Sequence, residues 1–330
     1  MEELKNVTAE ETSAIEKEET VTLPEKNSTQ NNDVLVQGVM HERDMKKVSA
    51  IQKVTKVGVQ VALYLFLGVM ALIILFPFYF MLISSVKSPA EFHLETPPTL
   101  WPKTFEFENY ADAFRVGNLV TLFGNTVYVG VVSTLISLVI TVLSAFAFAR
   151  LEFKGKNTLF ACLLATMMIP GELFTITNYQ TVSNLEWINS YKVLIIPFLV
   201  SIFYIYLLKQ NFMQIPNELY LAAKVDGTKD LKYLWKVMIP LALPTLISIT
   251  ILKMMGAWNT YMWPKLVANK SDYQLITNGL REMIVPDSGG LDDTPVQMAA
   301  VTIVSTPLFL VFIFLRKYIM KGVSRSGIKG

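Results

Sequence analysis

The sequence predicts an all-α polytopic membrane protein with six transmembrane helices, and three observations lead to that class. First, 52% of the 330 residues are hydrophobic and only 17% are charged, whereas soluble domains carry about 25% charged residues. Second, six long apolar runs are separated by polar segments. Third, basic residues flank alternate runs, as the positive-inside rule requires. The remaining charge is too small to cover a water-soluble surface, and a net charge of +2 does not indicate a nucleic-acid partner.

The N-terminal part of the chain is polar and changes sign before the first apolar run. Residues 1–42 are rich in Glu, Thr, Ser, Asn and Gln and have no apolar stripe, so they are predicted to form a disordered acidic cytoplasmic tail. Residues 43–56 form a basic juxtamembrane segment, and residues 57–330 form the six-helix transmembrane domain. No cleavable signal peptide is expected, because the N-terminus is acidic rather than basic and then apolar.

The six predicted spans are each long enough to cross about 30 Å of hydrocarbon as a helix. They are residues 57–83, 119–149, 158–181, 191–208, 237–263 and 296–315. The third is the weakest, since Pro170, Gly171 and Glu172 interrupt it. Basic residues lie before span one, between two and three, between four and five, and after six, which predicts that both termini are cytoplasmic.

A polar loop at about 209–239 separates spans four and five and reads as two short helices. Pro216 and Glu218 suit the first turn of a helix. Asp226-Gly227 is predicted to end that helix, with Gly227 in the left-handed conformation. Thr228 is predicted to cap the next helix. The loop is therefore expected to be a cytoplasmic helix–turn–helix.

The second helix of this loop carries an apolar and a basic face at helical spacing. The apolar residues are Leu231, Leu234, Trp235 and Met238, and the basic ones are Lys229, Lys232 and Lys236. One interpretation is a helix that lies on the membrane with its lysines towards lipid phosphates. The other is a docking element for a soluble partner, which the small residues Ala222 and Ala223 and the tight turn favour.

The loop resembles a known family motif. "AAKVDG" followed by "IPLALP" is similar to the cytoplasmic loop motif of ATP-binding-cassette importer permeases. The matching residues are Ala222, Ala223, Asp226, Gly227 and Pro240, while Leu221 replaces the leading Glu of the motif. "FPFYFMLISSVKSPAEF", "LWPKTFEFENYADAF", "AFAFARLEFKGK", "MMIPGELFTITNY", "GAWNTYMWP" and "YIMKGVSRSGIKG" resemble the carbohydrate-uptake branch, typified by the smaller permease of the maltose importer. The resemblance covers about residues 76–330.

This resemblance implies the type I ABC importer permease fold and a transport role for a sugar or oligosaccharide. The loop at 216–240 would be the coupling helix that docks on a separate ATPase, with Glu218, Ala222, Ala223, Asp226 and Gly227 as its coupling residues. Glu218 is the candidate for replacing the missing carboxylate. The implied partners are a second, non-identical permease, a cytoplasmic ATPase dimer, an extracytoplasmic solute-binding protein and membrane lipid. The implied location is the bacterial inner membrane.

Two other transport classes remain as alternatives. Permeases for glycerol phosphate, phosphate or amino acids share the loop motif, and only the flanking motifs indicate carbohydrate. A stand-alone secondary transporter would need ion-coupling carboxylates at the midplane, and Glu172 is the only acid in the spans.

The residues that catalysis or cofactor binding would require are missing from the sequence. A phosphate-binding loop needs Lys after its second glycine, but Ile328 follows Gly327, so ATP is expected to bind to partner subunits. Two distant histidines and the lone Cys162 make neither a metal site nor an internal disulfide. Cys162 is expected to be a buried packing residue, and the chain is expected to be a transport subunit rather than an enzyme.

Two ionisable residues and an aromatic cluster within the spans are candidates for the translocation path or for gating. A charge at the bilayer centre costs about 2.5–3.5 kcal/mol, so it usually faces a cavity or a partner. Glu172 and Lys253 would line the path or pair with each other. Alternatively, Glu172 lies at the outer interface, and Lys253 snorkels or pairs with the second permease. Trp258 and Asn259 are candidates for sugar contact, structure or gating, and Trp263 for an interfacial aromatic belt.

Overall fold

The computed structural model of the protein describes residues 28–94, 99–284 and 293–324, and these form helices joined by turns and short loops. The chain divides into two compact units, Met1–Leu75 and Phe76–Gly330. The helices are α1 (Ser28–Ser84), α2 (Pro89–Leu94), α3 (Glu108–Val116), α4 (Leu119–Arg150), α5 (Lys156–Thr166), α6 (Thr175–Asn184), α7 (Tyr191–Ile195), α8 (Ile202–Met213), α9 (Asn217–Val225), α10 (Asp230–Tyr233), α11 (Ile239–Leu241), α12 (Leu243–Asn259), α13 (Met262–Val267), α14 (Ile276–Ile284) and α15 (Thr294–Ser324).

The described part of the first unit is helix α1, which begins at Ser28. Residues 28–42 are therefore helical here, whereas the sequence predicted them as part of a disordered tail. Extension of an existing helix requires fixing only one further residue for each hydrogen bond gained, so polar residues can continue a helix that an apolar segment establishes. Residues 1–27 lie outside the described residues, and their disorder stays a prediction.

The apolar runs of the sequence form two kinds of element. Thr55–Ser84, Leu119–Arg150 and Thr294–Lys317 are unbroken helices that are long and apolar enough to cross a membrane. The other three runs are bent pairs, Lys156–Thr166 with Gly171–Asn184, Tyr191–Phe198 with Ile202–Met213, and Asp230–Leu241 with Leu243–Asn259. The described residues thus contain three candidate spans, or six if each bent pair is one span.

The bends have local causes that the sequence partly reveals. The first pair bends by 84° at the segment that contains Pro170 and Gly171, where the sequence predicted an interruption. The third pair bends by 80° at Ala242, between Pro240 and Pro244. Proline lacks the N–H that would continue the helical ladder, so the helix kinks or breaks there.

Helix α4 is the central helix of the second unit and packs against α8 and α12. Its buried face includes several small polar residues, Ser133, Thr134, Ser137 and Thr141 among them. Small residues let two helix backbones approach closely, which is how helices associate in a membrane without a hydrophobic driving force. A Cβ atom built on Gly130 would lie 3.6 Å from Met254 of α12, which shows how close the two helices are.

Cys162 is exposed on α5, so the predicted burial is wrong. Of the large apolar side chains of this helix, Leu159 is also exposed and Leu163 and Leu164 are half-buried, whereas Phe160 is buried. A membrane protein keeps apolar residues on its outer surface because that surface meets hydrocarbon rather than water. Apolar character therefore does not predict burial in this helix.

Candidate functional site

The loop at 216–240 is held by a buried cluster below the ends of three long helices, which we call the anchor cluster. The cluster contains Val142, Ala145 and Phe146 of α4, Leu208 and Phe212 of α8, Ile215, and Tyr233, Leu234, Met238, Ala242 and Ile249 from the loop and α12. Tyr233, Leu234 and Met238 are almost completely buried. The inner side of the loop is therefore packed directly against α4, α8 and α12, and close-packed side chains leave little space between them.

The first helix of the loop ends in a tight turn at Gly227. Gly227 has a φ of +71°, and its N–H donates to the carbonyl of Lys224 at 3.0 Å. The N–H of Thr228 donates to the carbonyl of Ala223 at 2.8 Å. These two hydrogen bonds and the left-handed glycine are the Schellman motif, so the predicted helix end is confirmed.

The predicted cap of the second helix is wrong by one residue. The residue before α10 is Lys229, in an extended conformation, and no side chain caps the helix. Thr228 instead closes the preceding turn through its backbone N–H. The turn takes one residue more than the sequence pattern suggested.

Side chains also join the two helices across the turn. Lys224 Nζ lies 2.7 Å from Asp230 Oδ1, and the Tyr220 hydroxyl donates to the same oxygen at 2.9 Å. The hydrogen bond to Asp230 raises the pKa of the Lys224 ammonium, and burial raises the pKa of the Tyr220 phenol. Sequence analysis missed this cluster. The available signal was Tyr220 and Lys224 at i,i+4 on one face of α9.

Arg150 connects the end of α4 to the end of α8. Its guanidinium donates to the carbonyls of Phe212 and Ile215, which are among the last carbonyls of α8 and the turn after it. A cation at a helix C-terminus satisfies these carbonyls and favours the negative end of the helix dipole. In the sequence Arg150 was only one of several basic loop residues, so its role emerges from the tertiary structure.

Four of the five predicted coupling residues are exposed, namely Glu218, Ala222, Asp226 and Gly227. The fifth, Ala223, is half-buried against the anchor cluster. Two large apolar residues on the same helix, Leu221 and Val225, are also exposed, Val225 by 89%. Helix α9 therefore presents a small residue among exposed apolar ones on its outer side.

The predicted apolar face of the second helix is divided. Leu234 and Met238 are buried in the anchor cluster, but Leu231 and Trp235 are exposed, Trp235 by 64%. The segment Leu234–Met238 is a π-helix, whose turn is wider than that of an α-helix. Both helices of the loop thus carry exposed apolar side chains.

Lys253 lies within α12 and lines a cavity of about 380 Å³. Its Nζ donates to the carbonyl of Phe198 at 2.6 Å. Phe198 ends the short 3₁₀ segment at the break between the two halves of the fourth candidate span. Lys253 therefore satisfies a carbonyl that the broken helix leaves without a helical partner.

Glu172 does not line this cavity. It is exposed in the 3₁₀ segment Gly171–Phe174, at the break of the third candidate span. No ion pair joins Glu172 to Lys253, both of which the structure describes. The pairing of the two that the sequence suggested is thus absent, and a path or interface role for Glu172 stays a prediction.

The aromatic cluster after Lys253 takes part in packing. Trp258 donates from Nε1 to the carbonyl of Val304 in α15 at 3.3 Å, and its ring meets that of Phe123 in α4 edge-on at 5.5 Å. Asn259 is exposed and bonds the carbonyl of Met255 in its own helix. Trp263 is buried and donates to Val193, so its assignment to an interfacial belt is wrong.

Comparison with known proteins places the chain in a family. Residues 137–325, more than half of the chain, match the family described as "Binding-protein-dependent transport system inner membrane component". The chain belongs to this family. The matched range includes the loop at 216–240, the anchor cluster and Lys253. As a member of the family the protein is a multi-pass inner-membrane transport component, in agreement with its several apolar helices.

Individual relatives cover most of the chain. It is 28% identical over 262 residues to the arabinooligosaccharides transport system permease protein AraQ of Halalkalibacterium halodurans, covering 79% of this chain and 93% of the relative. It is 26% identical over 275 residues to the sn-glycerol-3-phosphate transport system permease protein UgpE of Yersinia pestis, covering 82% of this chain and 97% of the relative.

A solved structure establishes the fold. The chain is similar, with a TM-score of 0.70 and 23% identity, to a chain in the crystal structure of a bacterial ABC transporter involved in the import of the acidic polysaccharide alginate. The similarity covers 90% of this chain and 99% of that chain. The predicted ABC importer permease fold is therefore confirmed.

Proposed function

We propose that this chain is the transmembrane permease subunit of an ATP-driven importer for a sugar or oligosaccharide. It would cross the membrane six times, with each bent pair as one span and both termini in the cytoplasm. It would form half of the translocation path, beside a second, non-identical permease. The observation that carries the proposal is a loop that is exposed on its outer side and packed on its inner side. The chain belongs to a transport family, and its own sequence has no recognisable nucleotide-binding loop.

The loop would couple the chain to a cytoplasmic ATPase dimer. Ala222 lets the ATPase surface approach α9 closely, and the exposed Leu221 and Val225 supply apolar contact area. Glu218, one turn earlier, would supply the carboxylate that Leu221 lacks. Closure of the ATPase would move α9, and the anchor cluster together with Arg150 would pass this motion to α4 and α8. Rigid movement of packed helices is an established way to switch between two states.

The substrate class rests on the motifs and on the names of relatives. The AraQ relative is named for arabinooligosaccharides, which supports a carbohydrate. The UgpE relative is named for sn-glycerol 3-phosphate and supports the second candidate, a permease for glycerol phosphate. In either case an extracytoplasmic solute-binding protein would deliver the solute, and the partner subunits would bind ATP. A stand-alone secondary transporter is less favoured, because it would need ion-coupling carboxylates at the midplane and Glu172 is the only acid in the predicted spans.

Gentle affinity purification of the tagged chain, followed by identification of the co-purifying proteins, tests this function. We expect a second permease and an ATPase, and ATP-dependent uptake after reconstitution with the binding protein.

Ala222→Asp should release the ATPase and leave the second permease bound. Ala111→Asp is the matched control, because Ala111 is also exposed but lies on α3, in the predicted outer loop. Uptake that continues without any ATPase would contradict the proposal.

A further inference from the structure

The Lys253 cavity places several polar side chains within an apolar region. Its polar lining comes from four parts of the second unit, namely Ser133 of α4, Ser201 and Tyr204 at the start of α8, Lys253 of α12, and Thr260. The aromatic residues Phe198 and Trp263 also line it, together with apolar residues such as Val129 and Leu194. A volume of about 380 Å³ lies in the range of small-molecule sites.

The charge of this site is unbalanced. Among the residues that the structure describes, no Asp or Glu lines the cavity. The partner of Lys253 is a neutral backbone carbonyl at 2.6 Å, which accepts one hydrogen bond and does not cancel the charge. A lysine ammonium has three N–H donors, so two can point to a ligand. A charge is expensive within a membrane and is usually retained there for function.

The neutral lining suits a hydroxylated ligand. Tyr204 lines the cavity, and its hydroxyl makes no hydrogen bond to any residue that the structure describes. Ser201 Oγ accepts from the backbone N–H of Tyr204 at 3.4 Å, which leaves its own hydroxyl proton free to donate. Aromatic rings beside hydroxyl groups can contact the apolar face of a sugar and bond its hydroxyls.

We propose that the Lys253 cavity binds the anionic group of an acidic sugar solute, with Lys253 contacting a carboxylate or phosphate and Tyr204 contacting a hydroxyl. This inference rests on the proposed function and narrows its substrate class. The alternative is that Lys253 only closes the helix break at Phe198, in which case its loss affects every solute equally.

The test is equilibrium binding to the purified permease–ATPase complex in nanodiscs at millimolar solute. The probes are digalacturonate, the neutral galactose disaccharide and sn-glycerol 3-phosphate. We expect the complex to bind one of the anionic probes about tenfold or more tightly than the neutral disaccharide. Preference for digalacturonate identifies a carboxylate, and preference for sn-glycerol 3-phosphate identifies a phosphate.

Two variants and one control separate binding from structure. Lys253→Met should remove the preference for the anion and leave weak binding of the neutral disaccharide unchanged. Tyr204→Phe, which deletes only a hydroxyl, should weaken the anionic probe several-fold. Lys192→Met is the matched control, because Lys192 is exposed on α7 of the same bent pair, and it should change nothing. Co-purification of the ATPase and thermal unfolding of each variant establish that the complex is intact.

The inference fails if the wild-type complex binds all three probes equally or binds neither anion, or if Lys253→Met weakens charged and neutral probes alike. If the Lys253→Met complex does not assemble, the wild-type preference for an anionic probe and the effect of Tyr204→Phe on that binding test the inference. Failure of the inference is distinguishable from failure of the proposed function. A complex that imports a neutral oligosaccharide with ATP retains the proposed function, whereas a chain that imports without an ATPase loses it.

Discussion

At the scale of single residues, Gly227 is the position where the backbone itself requires one amino acid. Its φ of +71° lies in the left-handed region, and a Cβ atom there would meet nothing within 4 Å. A substitution therefore encounters backbone strain without steric contact. Asn enters this region more readily than other residues, since its short polar side chain can bond locally.

We expect Gly227→Ala to disturb the turn by about 1–2 kcal/mol, the usual cost of left-handed backbone for a residue with a Cβ atom. Gly227→Asn should cost less. Hydrogen exchange of amides 223–228 measures the turn, and solute-stimulated ATP hydrolysis in proteoliposomes measures coupling. Equal exchange and equal coupling in the Ala variant and the wild type would show that the turn is not needed.

At the scale of elements, helices α9 and α10 act as one unit because Lys224 and Asp230 join them across the turn. The pKa of Lys224 is raised by the hydrogen bond to Asp230. The stabilisation that follows from this shift is complete below the ordinary lysine pKa of 10.5 and is lost as the pH rises through the raised value. The pair is thus fully formed at neutral pH.

We expect Asp230→Asn to increase hydrogen exchange across α9 and the turn at pH 7, since the charged partner of Lys224 is gone. In the wild type, protection corrected for intrinsic exchange should stay constant from about pH 7 to pH 9 and fall at higher pH. Asp226→Asn is the control for this readout, because Asp226 is exposed and lies in the same turn but is not the partner of Lys224. An equal increase in both variants would exclude a specific role for the Lys224–Asp230 pair.

At the scale of the whole molecule, long helices are tied together by a few side chains that reach between them. Trp258 of α12 contacts α15 through Val304 and α4 through Phe123. Trp235, in contrast, is exposed on the loop. Trp258 therefore packs between helices, whereas Trp235 lies on the surface of the same chain.

We expect Trp258→Ala to lower the Tm of the purified complex by about 5 °C or more, because it removes a large contact among three helices. Trp235→Ala should leave the Tm unchanged and weaken association with the ATPase. Thermal unfolding followed by tryptophan fluorescence or scattering measures the first, and co-purification the second. Similar Tm values for both variants would contradict the assigned roles.

Much of the fold was predictable because its causes are local. The apolar runs predicted the helices, and Pro170 and Gly171 predicted a break. The loop motif predicted the helix end at Gly227. The candidate site was predictable in its position but not in its connections. Lys224–Asp230 and Arg150–Phe212 join residues whose spacing in the sequence does not indicate contact.

The sequence by itself determined the class of protein, the positions of its apolar helical segments, the break at Pro170 and Gly171, and the left-handed glycine of the loop. Only the tertiary structure decided which side of each helix is buried. Cys162 is exposed, Trp263 is buried, and Lys253 bonds a carbonyl rather than Glu172. The physical reason is that hydrocarbon surrounds a membrane protein, so apolar residues are stable both in its core and on its surface. Hydropathy therefore shows where the helices are but not which face of each helix is buried. The contacts between helices decide which face is buried.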